Sequence, residues 1–193
     1  MVSFHTMTAR EAKEFLARFV EQNPQRLAEL RVQCAASGGP APEVLDLSPR
    51  SLGPLWEWAR PQLSWREGYV PPLNDLHGPR GPVGELEPFD QLPEWFDPLL
   101  GGWVFSAPTL WLIDGMARYL GEALTHNVPG SHWRAGRERI KSYAYQNHPV
   151  VDLPTGAREP LWSVSIITRR ALSPSFGPST LTDLYTAWTV PHT

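Results

Sequence analysis

Apolar residues recur at intervals of three and four along the first sixty positions, which predicts helices. Thr8 and Glu11 have the spacing of a capping box, in which each side chain satisfies an orphan amide of the first turn, and Phe15, Leu16, Phe19 and Val20 follow as one stripe. Asn23-Pro24 interrupts that stripe. A capping asparagine followed by a proline in the first turn predicts a second helix, carrying Leu27, Leu30 and Cys34 inward until Ser37-Gly38-Gly39-Pro40. Val44-Leu45-Asp46-Leu47 reads as a short extended piece, and Ser48-Pro49 opens a third helix with Leu52, Leu55, Trp56 and Ala59 on one face.

From Ser64 to Leu100 the period dissolves into seven prolines and four glycines, among them Pro71-Pro72 and Gly81-Pro82. A loop of this length inside a compact domain is more often functional or mobile than idle. Its rings, Trp65, Tyr69, Phe89, Trp95 and Phe96, predict some packing, with a helical turn over 93–100. The clearest helix follows. Ser106 caps it, Pro108 lies in its first turn, and Leu110, Ile113, Met116, Ala117, Leu120 and Leu124 form its buried face. After Pro129-Gly130 the period moves towards two, through Trp133, Ile140 with Tyr143 and Tyr145, Val150-Val151 with Leu153, and Trp162, Val164 and Ile166. These segments predict short strands, antiparallel because the connections are too short for crossovers. Thr180 and Asp183 cap a terminal helix. The expectation is one α+β domain over 1–193, with N-terminal helices and a central helix on a small antiparallel sheet. Its parts are a helical portion at 8–63, a proline- and tryptophan-rich connection at 64–105, and a helix, strands and terminal helix at 106–193.

Composition narrows the class. The 193 residues carry a net charge of −3, and 41% are hydrophobic, enough for a core without metal or disulfide. A single cysteine excludes a disulfide framework and multi-cysteine zinc patterns, and points to a reducing compartment. Twenty-one prolines interleaved with nine tryptophans argue for long packed loops, since disordered proline-rich chains are poor in large rings. No apolar run approaches a membrane span and no leader pattern opens the chain, so the expected address is cytoplasmic, away from membrane.

Catalytic signals are sparse. Asp114, Arg118, Glu122 and His126 recur every four residues along the central helix, the spacing of neighbours on one face. A solvated ladder of ion pairs is the simple reading. The sharper one is a small enzyme or ligand-binding site built on Glu122, His126 and His132, or a metal site of His126, His132 and His148, which requires the Pro129-Gly130 turn to fold the first strand back onto the helix end. Cys34 sits on an apolar stripe with no base nearby, no nucleophile elbow is present, and neither glycine-rich phosphate loop fits any stretch. No cofactor is expected.

Charge is more informative. Glu85, Glu87, Asp90, Glu94 and Asp97 surround Phe89, Trp95 and Phe96, and aromatic anchors within a rim of like charge suit a protein partner with a basic surface. The alternative is an ordinary loop whose rings plug the core. Arg134, Arg137, Arg139 and Lys141, opposed by Glu138 and flanked by Trp133, Tyr143 and Tyr145, could pair phosphates and stack bases. The overall negative charge and the absence of a nucleic-acid motif weigh against that use.

Ile113-Asp114-Gly115-Met116-Ala117-Arg118-Tyr119-Leu120-Gly121-Glu122, then Pro129-Gly130-Ser131-His132-Trp133 and Asn147-His148-Pro149-Val150-Val151, resembles a module of small uncharacterised bacterial proteins. It runs helix, Leu-Gly-Glu, turn, tryptophan strand, proline-valine strand, over about forty residues. Some proteins of this look resemble immunity proteins, which occupy a toxin's surface without catalysis. The resemblance implies structural roles: Gly121 for close backbone approach, Glu122 for pairing at the turn, and Trp133 for the core. The resulting expectation is a non-catalytic, protein-binding, immunity-type protein that blocks a toxin with a basic active-site surface by steric and electrostatic occlusion. Its partner-binding residues would be Glu85, Glu87, Phe89, Asp90, Glu94, Trp95, Phe96 and Asp97.

Overall fold

The structure is a computed structural model that describes residues 3–69, 71, 91–96, 104–138, 143–173 and 179–190. Among them the fold is α+β, six helices packed on a three-stranded antiparallel sheet. A 3-10 turn at Phe4–Thr6 precedes α1 (Ala9–Glu21) and α2 (Asn23–Ala36). Thr8 and Glu11 close the anticipated capping box on α1, worth about 1 kcal/mol for its cap. The start of α2 differs from expectation. Pro24 does lie in its first turn, but Asn23 is itself helical and buried, and its side chain points into the core instead of capping.

Residues 44–47 form turns, not an extended piece, with Leu47 in the left-handed region. A 3-10 turn at Pro49–Ser51 then leads into α3 (Leu52–Ala59). Of the proline-rich connection, Trp65 bridges to Phe105 and the two rings stack at 5.5 Å. Phe96 N–H donates to the Pro93 carbonyl, closing a turn where a helical one was anticipated; residues 97–100 lie outside the described residues.

Helix α4 (Ala107–Asn127) is the axis of the molecule. Ser106 caps it, and α2, α3, α5, α6, β1 and β2 all pack around it. Its surround explains why even Asp114, Gly115, Arg118 and Gly121 are buried. The sheet follows in the order β1 (His132–Ala135), β2 (Pro149–Leu153), β3 (Gly156–Arg158). Trp133 faces Val151 across the first pair, and Val151 faces Arg158 across the second. Tyr143 and Tyr145 fall in turns rather than the strand expected there, and Ile140 lies outside the described residues.

The alternation Trp162, Val164, Ile166 is not a strand but part of α5 (Pro160–Leu172). Glu159 accepts from the Trp162 amide as N-cap and Pro160 opens the helix, while the buried set is Leu161, Val164, Ile167 and Thr168. That set has helical spacing. Trp162 is half-buried and Ile166 exposed while Val164 points inward, so the period of two joined residues from different faces of one helix. Helix α6 (Leu181–Thr189) carries the predicted Thr180–Asp183 capping box. One continuous apolar core runs from Phe4 through α4 to Trp188.

Close approach of β1 to α4 depends on Gly121. A Cβ there would lie 2.0 Å from Cζ2 of Trp133. Gly121→Ala gains up to about 1 kcal/mol of helix propensity, but so severe an overlap belongs at the upper end of the roughly 1–3 kcal/mol cost of overpacking. The expected outcome is a net loss of about 1–2 kcal/mol in the urea unfolding free energy, reduced when Trp133→Phe is combined with it.

Candidate functional site

The ladder on α4 runs from the interior to the surface: its first two members are buried, Glu122 is half-buried and His126 is exposed. Asp114 and Arg118 are 1% and 2% exposed. Asp114 Oδ1 accepts from Arg118 Nε and from Trp95 Nε1, both at 2.9 Å, and Oδ2 accepts from Nε and Nη2 of Arg26 at 3.1 Å. Arg118 Nη1 donates to the Phe19 carbonyl and to Asn23 Oδ1, at 2.5 and 2.6 Å, and its guanidinium lies 3.7 Å above the Phe19 ring. Burial draws the Arg118 pKa down, and the adjoining Asp114 carboxylate opposes that by holding the charge.

Glu122 continues the line. Its Oε1 accepts from Asn23 Nδ2 at 2.6 Å and from Trp133 Nε1 at 2.9 Å. The tertiary structure therefore uses Asp114, Arg118 and Glu122 to tie the α1–α2 junction, residues 91–96 and β1 to one helix. His126 is exposed at the end of α4, and His132 is exposed on β1, its Nδ1 3.3 Å from the Gly130 carbonyl. His148 is buried at the start of β2, with Nδ1 3.2 Å from Glu159 Oε1. His126 and His132 on the surface and His148 in the interior do not form a common ligand shell. Among the described residues no three histidine, cysteine, aspartate or glutamate side chains are grouped to hold a metal ion.

The acidic segment divides. Glu85, Glu87, Phe89, Asp90 and Asp97 lie outside the described residues. Glu94 is exposed and pairs with Arg18 at 3.0 Å. Trp95 and Phe96, expected as docking anchors, are 6% and 2% exposed and belong to the core. The physical reason lies on α4. Asp114 is buried, and the Trp95 indole N–H supplies one of its hydrogen bonds while the ring covers it from water. Of the basic cluster, Arg134 pairs with Glu138 at 3.4 Å and Asp152 at 3.0 Å, while Arg139 and Lys141 lie outside the described residues.

A concave site that sequence reading missed lies between α2 and the start of α4. A cavity of about 310 Å³ is lined by Arg26, Glu29, Leu30, Gln33, Pro108, Trp111 and Gly115. Trp111 is half-buried, and the Arg26 guanidinium stands 4.2 Å from the centre of its ring. Arg26 is fixed there by Asp114 beneath it and by Glu29, 2.5 Å away beside it. Trp111 Nε1 donates to the Gln91 carbonyl at 2.9 Å, which sets the described end of the acidic segment against this face. The only sequence signal was Trp111 on the polar side of an otherwise apolar helix.

Cys34 is buried among apolar side chains, and burial pushes its thiol up to about 12. Native protein should therefore resist iodoacetamide at pH 8 and react fully once unfolded in urea, as measured by mass spectrometry; rapid native labelling would contradict the placement. For the α4 network, Asp114→Ala strands the Arg118 charge and should cost about 3–5 kcal/mol. Asp114→Leu with Arg118→Met, which removes both charges, should lose much less than the sum of the single changes in a denaturation cycle. Compared with known proteins, the sequence matches no family model, no curated protein is significantly similar to it, and no solved structure matches its fold.

Proposed function

We propose that this chain is a non-catalytic protein-binding protein, and that its concrete role is that of a cytoplasmic immunity-type protein occluding a toxin with a basic active-site surface. The observation that carries the reading is the Arg26–Trp111 stack at the α2–α4 cavity, with the Gln91 carbonyl bonded to the same indole. Tryptophan and arginine are the residue types that dominate binding hot spots, and here both are preorganised. Neither has to be ordered on association.

The acidic stretch is continuous in sequence with Gln91: Asp90 is its neighbour, Glu87 and Glu85 come shortly before, and Glu94 follows it on the surface. Trp95 and Phe96 then serve as the tether of the segment, while the acids supply the long-range attraction that speeds encounter with a basic partner. A catalytic reading has less support. Glu122, its intended acid or base, already accepts from Asn23 and Trp133, and His126 and His132 are exposed to water. No described helix is long and apolar enough to cross a membrane.

The test uses the product of the neighbouring reading frame as the partner, in binding and growth-protection assays. Trp111→Ala should weaken the complex about thirtyfold or more, a hot-spot loss of about 2 kcal/mol or more. Changing Glu87, Asp90 and Glu94 to lysine should slow association strongly at low salt and leave dissociation nearly unchanged. Failure of the wild-type chain to bind or protect would reject the immunity role, and full binding by both variants would remove this face from it.

A further inference from the structure

The charges around the α2–α4 cavity cancel in place, and this restricts what can enter it. Of the lining residues only Arg26 and Glu29 are charged, and they pair with each other at 2.5 Å. Arg26 also holds Asp114 beneath it through Nε and Nη2, and the other Glu29 oxygen, Oε1, accepts from Gln25 Nε2 at 2.9 Å. Neither lining charge lacks a counter-ion. A cation entering the hollow would meet Arg26, and an anion would meet Glu29 with Asp114 behind Arg26, so either would lose hydration without gaining a partner of its own. The site therefore selects against charged occupants.

What remains is carbon surface with a few donors. Leu30, Pro108 and the Trp111 ring supply the walls, and Gly115 contributes no side chain to the floor. A guanidinium carries five N–H donors; Arg26 directs its Nε hydrogen and one on Nη2 to Asp114 and one on Nη1 to Glu29, which leaves two. Gln33, exposed one turn beyond Glu29, adds an amide at the rim. At about 310 Å³ the cavity stands at the lower end of the roughly 300–1,000 Å³ typical of small-ligand sites, which is room for one side chain and not for a helix.

We propose that this cavity receives a single uncharged apolar side chain of the protein partner, of about the bulk of leucine, while the main-chain carbonyl beside that side chain accepts from the free N–H groups of Arg26. The inference rests on the protein-binding role proposed above and specifies its partner: an aliphatic knob projects next to the basic surface. Attraction and retention are then separate. Acidic side chains draw the basic surface in from a distance, and the neutral hollow holds the knob by excluding water around it. Rejection of charged neighbours on the partner fixes the register of docking. Trp111 is anchored by the Gln91 carbonyl and Arg26 by Asp114, so the walls are in place before the knob arrives.

Nitrogen-15-labelled full-length protein titrated with N-acetyl-leucine methylamide, and separately with the N-acetyl methylamides of arginine and aspartate, tests the pocket without the partner. The indole N–H resonance of Trp111, assigned by its loss in Trp111→Phe, should shift saturably with the leucine probe at about 1 mM, the affinity such a small ligand can reach. Either charged probe should bind at least tenfold more weakly. Gln33→Trp, an exposed change that places a ring across the rim and leaves the circular dichroism spectrum as in wild type, should weaken the leucine probe at least tenfold. No saturable shift at ten times the expected concentration, equal binding of a charged probe, or undiminished binding in Gln33→Trp would each overturn the assignment. These titrations contain no partner, so their failure leaves the immunity role to its own test, and a chain that takes the probe yet gives no growth protection would lose that role alone.

Discussion

A carboxylate and a guanidinium held inside an apolar helix bundle set the terms for the rest of this fold. With α4 surrounded by four helices and two strands, Asp114 and Arg118 cannot reach water, and an ion left unpaired there would cost several kcal/mol. Each must therefore draw partners from other elements. Trp95 and Arg26 complete Asp114, and Asn23, Gln22 and the Phe19 carbonyl complete Arg118. The directional demands of two buried charges thus specify how the α1–α2 junction and residues 91–96 meet the central helix. Hydrophobic burial alone would leave that choice open.

The same demand explains where function can reside. Charges that look in sequence like the makings of a reactive site are engaged in holding elements together, and Glu122 is engaged with Asn23 and Trp133. What the network leaves at the surface is the outer edge of Arg26, stacked on Trp111 over a concave region. A rigid arginine–tryptophan pair anchored from below has its ordering cost met within the folded chain, the property on which the proposed binding role draws. Glu94, joined to Arg18 at the surface, has the screened and weak coupling of an exposed pair and stays free to exchange partners.

The acidic, ring-rich stretch illustrates how one composition serves two purposes. Alternating rings and acids suggested docking anchors within a charged rim. In the fold, Trp95 and Phe96 enter the core and Glu94 stays outside. The division follows from the indole N–H, which meets a buried acceptor on α4 and lets a large apolar ring be buried without an unsatisfied donor.

Local chemistry determined most of the element types. The Thr8–Glu11 and Thr180–Asp183 boxes, Pro24 in a first turn, the Ser106 cap and the three-and-four spacing along α4 all act within one or two turns of chain, so they are legible without a tertiary context. Trp133 and Val150-Val151 were legible as strands because alternation is also local. The segment at 160–172 was misread because Trp162, Val164 and Ile166 satisfy a period of two, while the deciding signals were Glu159 as cap and Pro160 at the start. Only the tertiary structure decided which polar residues are interior. Asp114 and Arg118 read equally well as a solvated ladder, His148 as a metal ligand beside His126 and His132, and Asn23 as a cap, since a polar side chain's role depends on groups about 90 or 140 positions away, or across a strand pair, that spacing along the chain does not encode.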